Sequence, residues 1–471
     1  MKDPASQTCS VPRYYDSIDF PELWREFPPA PDYMNTTFLI PADSLRVLQD
    51  QRFQKQMQRA WQIPFYQRHW GKAGMLPGDI KGLRDLERIP PFSVHDLRDA
   101  IERQPPWGDL IALEGSAAAI PLVLQTSGGT TGLPRPMLYS PRDREVMNII
   151  TGRRLFMQGV RPGDVVQVAL SLGLANGGFL AREGIWKYSG AIPVMTGTGA
   201  QTPTRRQIEI MRAWKTTHLI GFPSYLRHVG LVIRDEMKIE PRELGVKGLI
   251  VHLGVDDREA LQSLWGASVF DTYGTNECGS LAAECAERSG MHIFEDAFVL
   301  EIIDLDNNRP VAAGEKGTIY QTTLFKHLAP LIRFNSNDIS SIHPGQCACG
   351  SCHQRLSRIF GRSDNMVKFK GTNIFPEAIG ALLTEFSQSN GEYVCIVDTN
   401  EKGELGMVVE AEASIEGSNM TALRGAIESR LKEALGVTLP VLIRKPGELS
   451  TRTGLDQNSK VRRLIDHRVQ S

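Results

Sequence analysis

Neither sign of charge prevails in this sequence: 53 Lys and Arg stand against 54 Asp and Glu, a formal net charge of -1. Without a basic surplus, nucleic acid and anionic membranes are not expected partners. Long apolar runs are missing too. None approaches the ~20 residues that span a bilayer, and the start, Met1-Lys2-Asp3-Pro4-Ala5, lacks a signal-peptide-like apolar segment. A cytoplasmic location is expected. Cysteine is scarce, with seven in 471 residues, too few and too unevenly placed for a disulfide framework. Cys9 lies in a polar lead-in and Cys395 in an apolar run that reads as core. The other five fall between Cys278 and Cys352, and that clustering asks for a reason.

A chain of 471 residues exceeds one compact core and predicts two or three domains. After the lead-in, Asp43 to Trp61 carries apolar residues at helical spacing (Leu45, Leu48, Phe53, Met57, Ala60, Trp61), with Asp43 or Ser44 as cap. From Pro121 to about Ile342, short apolar runs at 165–170, 191–195, 218–220 and 248–251 alternate with helical patterns such as 205–214. That alternation predicts an α/β architecture with much parallel sheet, whose ligands bind at the carboxyl ends of strands. Beyond Asp364 the pattern becomes a small α+β unit. Strands are predicted at 393–397, 407–411 and 441–443, and Leu423, Ile427, Leu431 and Leu435 share one helical face ended by Gly436.

The segment Gln125-Thr126-Ser127-Gly128-Gly129-Thr130-Thr131-Gly132-Leu133-Pro134-Arg135 follows the apolar run 120–124. Glycines let the backbone wrap an anion and aim N–H groups at it, and hydroxyls add donors. Leu133 stands where the GTPase-type loop needs its lysine, which excludes that class. A Gly/Ser/Thr-rich stretch is also an ordinary turn, so its neighbours along the chain decide. Tyr273-Gly274-Thr275-Asn276-Glu277 follows another apolar run, then come Pro330-Leu331-Ile332-Arg333-Phe334 leading to Asp338, Gly361-Arg362-Ser363-Asp364, Gly371-Thr372-Asn373-Ile374-Phe375-Pro376 and Ser459-Lys460-Val461-Arg462-Arg463.

In order and spacing, this set resembles the adenylate-forming superfamily of acyl and aryl coenzyme A ligases, closest to the phenylacetate–coenzyme A ligase family, from about Leu45 to Arg468. The resemblance implies a large N-terminal adenylation domain over 1–363, with mixed and parallel sheets, and a small mobile C-terminal lid over 364–471 that rotates between two half-reactions. It implies ATP-dependent activation of an aromatic carboxylic acid, then thioester formation with coenzyme A. By the same resemblance, Ser127, Gly128, Gly129, Thr130, Thr131 and Gly132 would hold the phosphates. Tyr273 and Gly274 would pack along the adenine, Asp338 would take the ribose hydroxyls, and Gly254 and Arg362 would also bind the cofactor. Thr275 would lie by the α-phosphate, Glu277 would hold magnesium, and Lys460 would bridge the carboxylate and the α-phosphate. Chemistry of this kind needs no enzyme nucleophile; it needs two anions held together and charge neutralised.

The acyl pocket is expected at Asn176, Gly177, Phe179, Ser224, Tyr225 and Val255, with Asp256 a further reader of a ring substituent. Departures from the family pattern stand at Leu133, Asn276 and Phe334-Asn335-Ser336-Asn337, and at Ser459 before Lys460. Cys285-x6-His292 with Cys347-x-Cys349 offers three thiols and an imidazole, enough to close a structural zinc site, with Cys352 and His353 as rivals and Cys278 outside it. Some members of the resembled family carry a structural zinc at matching Cys/His positions. Two other outcomes stay open: acyl loading onto a carrier-protein thiol, and a zinc-stabilised nucleotide-binding protein without catalysis. A homodimer is not excluded.

Overall fold

A computed structural model describes residues 11–111, 120–127, 134–370, 372–399, 405–414, 420–455 and 461–468. An eight-stranded sheet organises the larger part. In spatial order its strands are Arg355–Leu356, Met291–Ile293, Gly279–Glu284, Ser268–Thr275, Gly248–Val251, His218–Gly221, Val165–Val168 and Ile192–Met195. The last five run parallel and the first three join antiparallel. Gly248–Val251 and His218–Gly221 are buried at every position, which is why their sequences read as continuous apolar runs rather than alternations. A second, antiparallel sheet of Phe298–Ile303, Gly317–Thr323, Phe334–Ser340 and Gly361–Arg362 packs alongside.

The helix Pro141–Met157 is buried along almost its whole length. Its Arg153 forms an ion pair with Asp296 at 3.0 Å, and Arg52 of the helix Ala42–Ala60 lies 3.6 Å from the same carboxylate. Two guanidiniums hold the Asp296 carboxyl below its ordinary range against the opposing pull of burial. That helix begins at Ala42, with Pro41 as N-cap and no side-chain cap, so Asp43 sits in the first turn instead of capping. Its charge there still favours the helix dipole.

Residues Val367 to Leu464 gather around a separate core, including Ile379, Tyr393, Val409, Ile427 and Leu431. Its four-stranded sheet runs Val441–Arg444, Leu405–Ala413, Ser389–Thr399, Leu464–Asp466. The helix Met420–Leu435 covers it, and Gly436 follows at φ +72°, the left-handed position that ends helices. Among the described residues no helix is long and apolar enough to cross a membrane.

Candidate active site

Strand Ser268–Thr275 carries the centre of the site to its carboxyl end, where a bulge between Tyr273 and Gly274 re-aims the chain. A Cβ at Gly274 would meet the Gly279 carbonyl at 2.5 Å, so only glycine fits. Tyr273 is buried, and its hydroxyl donates to Asp338 Oδ2 at 2.8 Å while accepting from Gln321 Nε2 at 3.0 Å. The ring therefore packs inside, with its oxygen aimed at the aspartate. Asp338 faces Arg362 in strand register, and Arg362 Nη1 donates to Asp338 Oδ1 at 3.1 Å. The same guanidinium grips Asp364 at 2.8 and 2.7 Å. Burial pushes the Asp364 carboxyl up, but the Arg362 contacts win and hold it below the usual range.

Gln321 escaped the sequence reading. It is fully buried on Gly317–Thr323 and accepts from Thr275 Oγ1 at 3.3 Å and Cys278 Sγ at 3.2 Å. One amide thus fixes Tyr273, Thr275 and Cys278 together. Its only signal in sequence is a polar residue inside a buried strand.

The turn after this strand is held from three sides. Tyr139 Oη donates to the Asn276 carbonyl at 2.5 Å, Asn176 Nδ2 to the same oxygen at 3.1 Å, and Lys326 Nζ to the Glu277 carbonyl at 3.0 Å. The Glu277 carboxylate pairs with Arg135, whose buried Nε has no hydrogen-bond partner among the described residues. Burial lowers the Lys326 ammonium from its ordinary range, with Cys278, Asp143 and Glu277 opposing. Lys326 and Arg135 thus place two cations beside one carboxylate.

Among the acyl-pocket candidates, two turn away. Asn176 is 1 % exposed, and its Oδ1 accepts from Arg144 while its Nδ2 serves Asn276. Tyr225 is 3 % exposed, with its hydroxyl against Thr204 at 3.1 Å and Gln207 at 2.9 Å. Both are framework here, because buried polar groups take whatever partners the core offers. Gly177, Phe179, Ser224, Gly254 and Val255 remain partly or fully exposed beyond the carboxyl ends of the parallel strands. The loop holding Gly254 and Val255 is pinned from below by Asp271, whose Oδ1 accepts from Leu253 N and Thr272 N, both at 2.8 Å. Burial, then the neighbouring Glu284 charge, pushes the Asp271 carboxyl up to about 7. Ser127 is described, its N–H donating to the Arg135 carbonyl at 3.0 Å. Gly128, Gly129, Thr130, Thr131, Gly132 and Lys460 lie outside the described residues.

Cys285, His292, Cys347 and Cys349 bring their ligand atoms within 4.8 Å of one another. Cys285 Sγ lies 3.7 Å from Cys347 Sγ, and Cys349 Sγ 3.4 Å from His292 Nε2. Bonds of ~2.3 Å to sulfur and ~2.0 Å to nitrogen in a tetrahedron require separations of about 3.8 and 3.5 Å, so the donors fit a four-coordinate soft cation. The rivals are spoken for. Cys352 Sγ donates to the Ile40 carbonyl at 2.9 Å, and the two ring nitrogens of His353 face the Ile293 and Thr37 carbonyls at 3.0 Å each. Cys278 stands apart beside Gln321.

Comparison with known proteins follows from this geometry. The sequence pattern of the AMP-binding enzyme C-terminal domain matches residues 371–468. The phenylacetate-coenzyme A ligase of Thermus thermophilus is 30% identical over 454 residues, spanning 91% of this chain and 98% of that protein. A structure of 2-hydroxyisobutyryl-CoA ligase in the postadenylation state, in complex with R3-HIB-AMP, superposes with a TM-score of 0.82 at 28% identity, covering 91% of each chain. The same ligase in the thioesterification state, with 2-HIB-AMP and CoA, gives 0.66 at 29% identity and the same coverage. Of these two, the postadenylation structure superposes with the higher score.

Proposed function

The chain belongs to the phenylacetate–coenzyme A ligase family, and from that premise we propose that its acid is aromatic and that the residues gathered above divide the work between two half-reactions. As an AMP-forming CoA ligase it joins a carboxylate to the α-phosphate of ATP, releasing pyrophosphate, and then exchanges AMP for the thiol of coenzyme A. The observation that carries the residue assignment is the Tyr273–Asp338–Arg362 cluster at the carboxyl end of the main sheet. A carboxylate offers only acceptors, which suits the two ribose hydroxyls. Tyr273 and Arg362 hold it aimed.

Adenine lies along Gly254, Tyr273 and Gly274, with the Tyr273 backbone as the wall. Thr275 donates near the α-phosphate, and Ser127 with the glycines to Gly132 takes the phosphates. Lys460 places its ammonium between the acid and the α-phosphate, where it neutralises the charge that builds up as they join. Glu277 supplies the oxygen ligand for magnesium, which when bound offsets phosphate charge; Arg135 yields the carboxylate to it. The ring sits against Gly177, Phe179, Ser224 and Val255. A zinc ion held by Cys285, His292, Cys347 and Cys349 has no open position and is structural. The division falls at 363/364, with Asp364 at the hinge.

The test is ATP–pyrophosphate exchange across aromatic and aliphatic acids, followed by coenzyme A with the best of them. Exchange stimulated by aryl acids and abolished in Lys460→Ala is expected. Exchange with aliphatic acids alone would refute the aromatic assignment.

A further inference from the structure

The two cores touch at a polar junction that no step above uses. Strand Ser389–Thr399 loses its register with Leu405–Ala413 between Ser389 and Tyr393, so Asn390, Gly391 and Glu392 bulge off the sheet. Gly391 sits there at φ +80°, and a Cβ on it would lie 2.5 Å from Nη1 of Arg227. Arg227 belongs to the helix Pro223–Leu231, which also carries Ser224. Its Nη2 is buried without a hydrogen-bond partner, 3.8 Å from Asp256 Oδ1. From the small core, Arg463 reaches the same carboxylate electrostatically. Arg463 is itself fixed: it donates to the Tyr393 carbonyl at 2.7 Å and pairs with Glu392 at 2.9 Å. Asp256 is equally fixed on its side, through a turn from its N–H to the Leu253 carbonyl at 3.0 Å and the Asp257 cap of the helix Arg258–Trp265.

We infer that Asp256 is a positioning residue and not a reader of the acid: it is the large-domain half of a latch that, with Arg227, Gly391 and Arg463, holds the small domain in the arrangement used for adenylation. This rests on the two-half-reaction reading above. Two features favour a latch over a permanent weld. Among the described residues no hydrogen bond joins Arg227 or Asp256 to Gly391 or Arg463, and the buried Arg227 Nη2 has no hydrogen-bond partner of its own. Its placement also links the halves of the reaction. Asp256 adjoins Val255 at the acyl pocket, while Arg463 lies three residues beyond Lys460. Occupancy of the pocket is thereby felt at the domain junction.

The test measures domain arrangement and the two half-reactions separately. A donor–acceptor dye pair, one on each domain of the full-length unliganded protein, reports the arrangement without any activity. In Asp256→Asn the adenylation arrangement should lose population. ATP–pyrophosphate exchange should fall on the order of tenfold, a change of about 1.4 kcal/mol, while thioester formation from isolated acyl-adenylate and coenzyme A stays level or rises. Asp256→Glu should restore both. Gly391→Ala, which wedges the junction from the other side, should reproduce the shift if Asp256→Asn folds poorly. An unchanged dye distance in both variants overturns the latch, as does a raised KM for the acid with no change in arrangement. Failure of the wild type to exchange with any acid would instead sink the ligase chemistry, leaving the dye measurement readable.

Discussion

Replacing Tyr273 by phenylalanine removes one oxygen, yet that oxygen both donates to Asp338 and accepts from the buried Gln321. The variant leaves Gln321 Nε2 short of a partner and frees Asp338 to turn. An unmet buried donor costs about 1–3 kcal/mol, so the melting temperature should fall. The KM for ATP should rise several-fold with kcat nearly kept, as initial-rate kinetics at saturating acid would read. If the ring alone mattered, through contact with adenine, Tyr273→Phe would behave as wild type. Asp271→Asn tests a second buried group. The native carboxyl titrates near 7, against an ordinary value of 3.8, so between those pH values the folded protein holds a proton the unfolded chain has lost. This group's contribution is therefore full below about pH 4 and disappears as the pH rises through 7. Asparagine keeps the oxygen that accepts from Leu253 and Thr272 and does not titrate. Its stability relative to wild type should climb by on the order of 2 kcal/mol between pH 5 and 8 in urea titrations; a difference independent of pH would refute the shift. At this scale the sequence made Tyr273, Asp338 and Arg362 legible by motif. It hid Gln321, Asp271 and Lys326, because which buried polar group meets which is settled by register between strands far apart in the chain.

At the scale of elements, the parallel strands were legible from their apolar runs, and the helix over Leu423 to Leu435 from its spacing. The cap of Ala42–Ala60 was not, because the chain turns in at Pro41 one step before the residues suited to capping. The cysteine cluster shows what spacing does and does not decide. Cys285 ends a hairpin whose other strand, Met291–Ile293, presents His292, and the edge strand Arg355–Leu356 brings the Cys347–Cys349 loop back beside them. Only that pairing separates Cys349 from Cys352, three positions on, whose thiol reaches the 36–40 segment instead. Metal analysis of freshly purified protein should therefore find about one zinc per chain in the wild type and in Cys352→Ser, and little in Cys285→Ser. A two-residue edge strand has little pairing of its own, so chelation should loosen 285–292 and 347–356 together in hydrogen exchange. Phe38 packs edge-on against His292 at 5.1 Å, so the segment around it should loosen too. Each kcal/mol lost lowers the melting temperature by roughly 2–4 °C. Zinc retained by Cys285→Ser and lost from Cys352→Ser would reverse the assignment.

At the scale of the whole molecule, the separate core after Asp364 was legible from the change of pattern there, while its placement against the larger part, with its three apolar clusters, was not. That placement depends on contacts such as Arg227 with Gly391, which no local pattern announces. The core of 367–464 is complete in itself, with its own sheet and covering helix. A unit with its own sheet and core is expected to open on its own. Empty protein should then show two transitions by scanning calorimetry. On the proposed assignment, a non-hydrolysable acyl-adenylate analogue would bind at the end of the main sheet, where Asp338 and Arg362 adjoin the start of the small unit, and would need both cores in place. At a hundred times its Kd it stabilises whatever must stay folded to hold it by about 2.7 kcal/mol. That increment falls on the two units jointly, and the transitions should move up and merge. Should only the larger transition shift while the smaller stays put, the ligand would be held by the large unit alone, and the arrangement of the two cores would owe nothing to the bound adenylate.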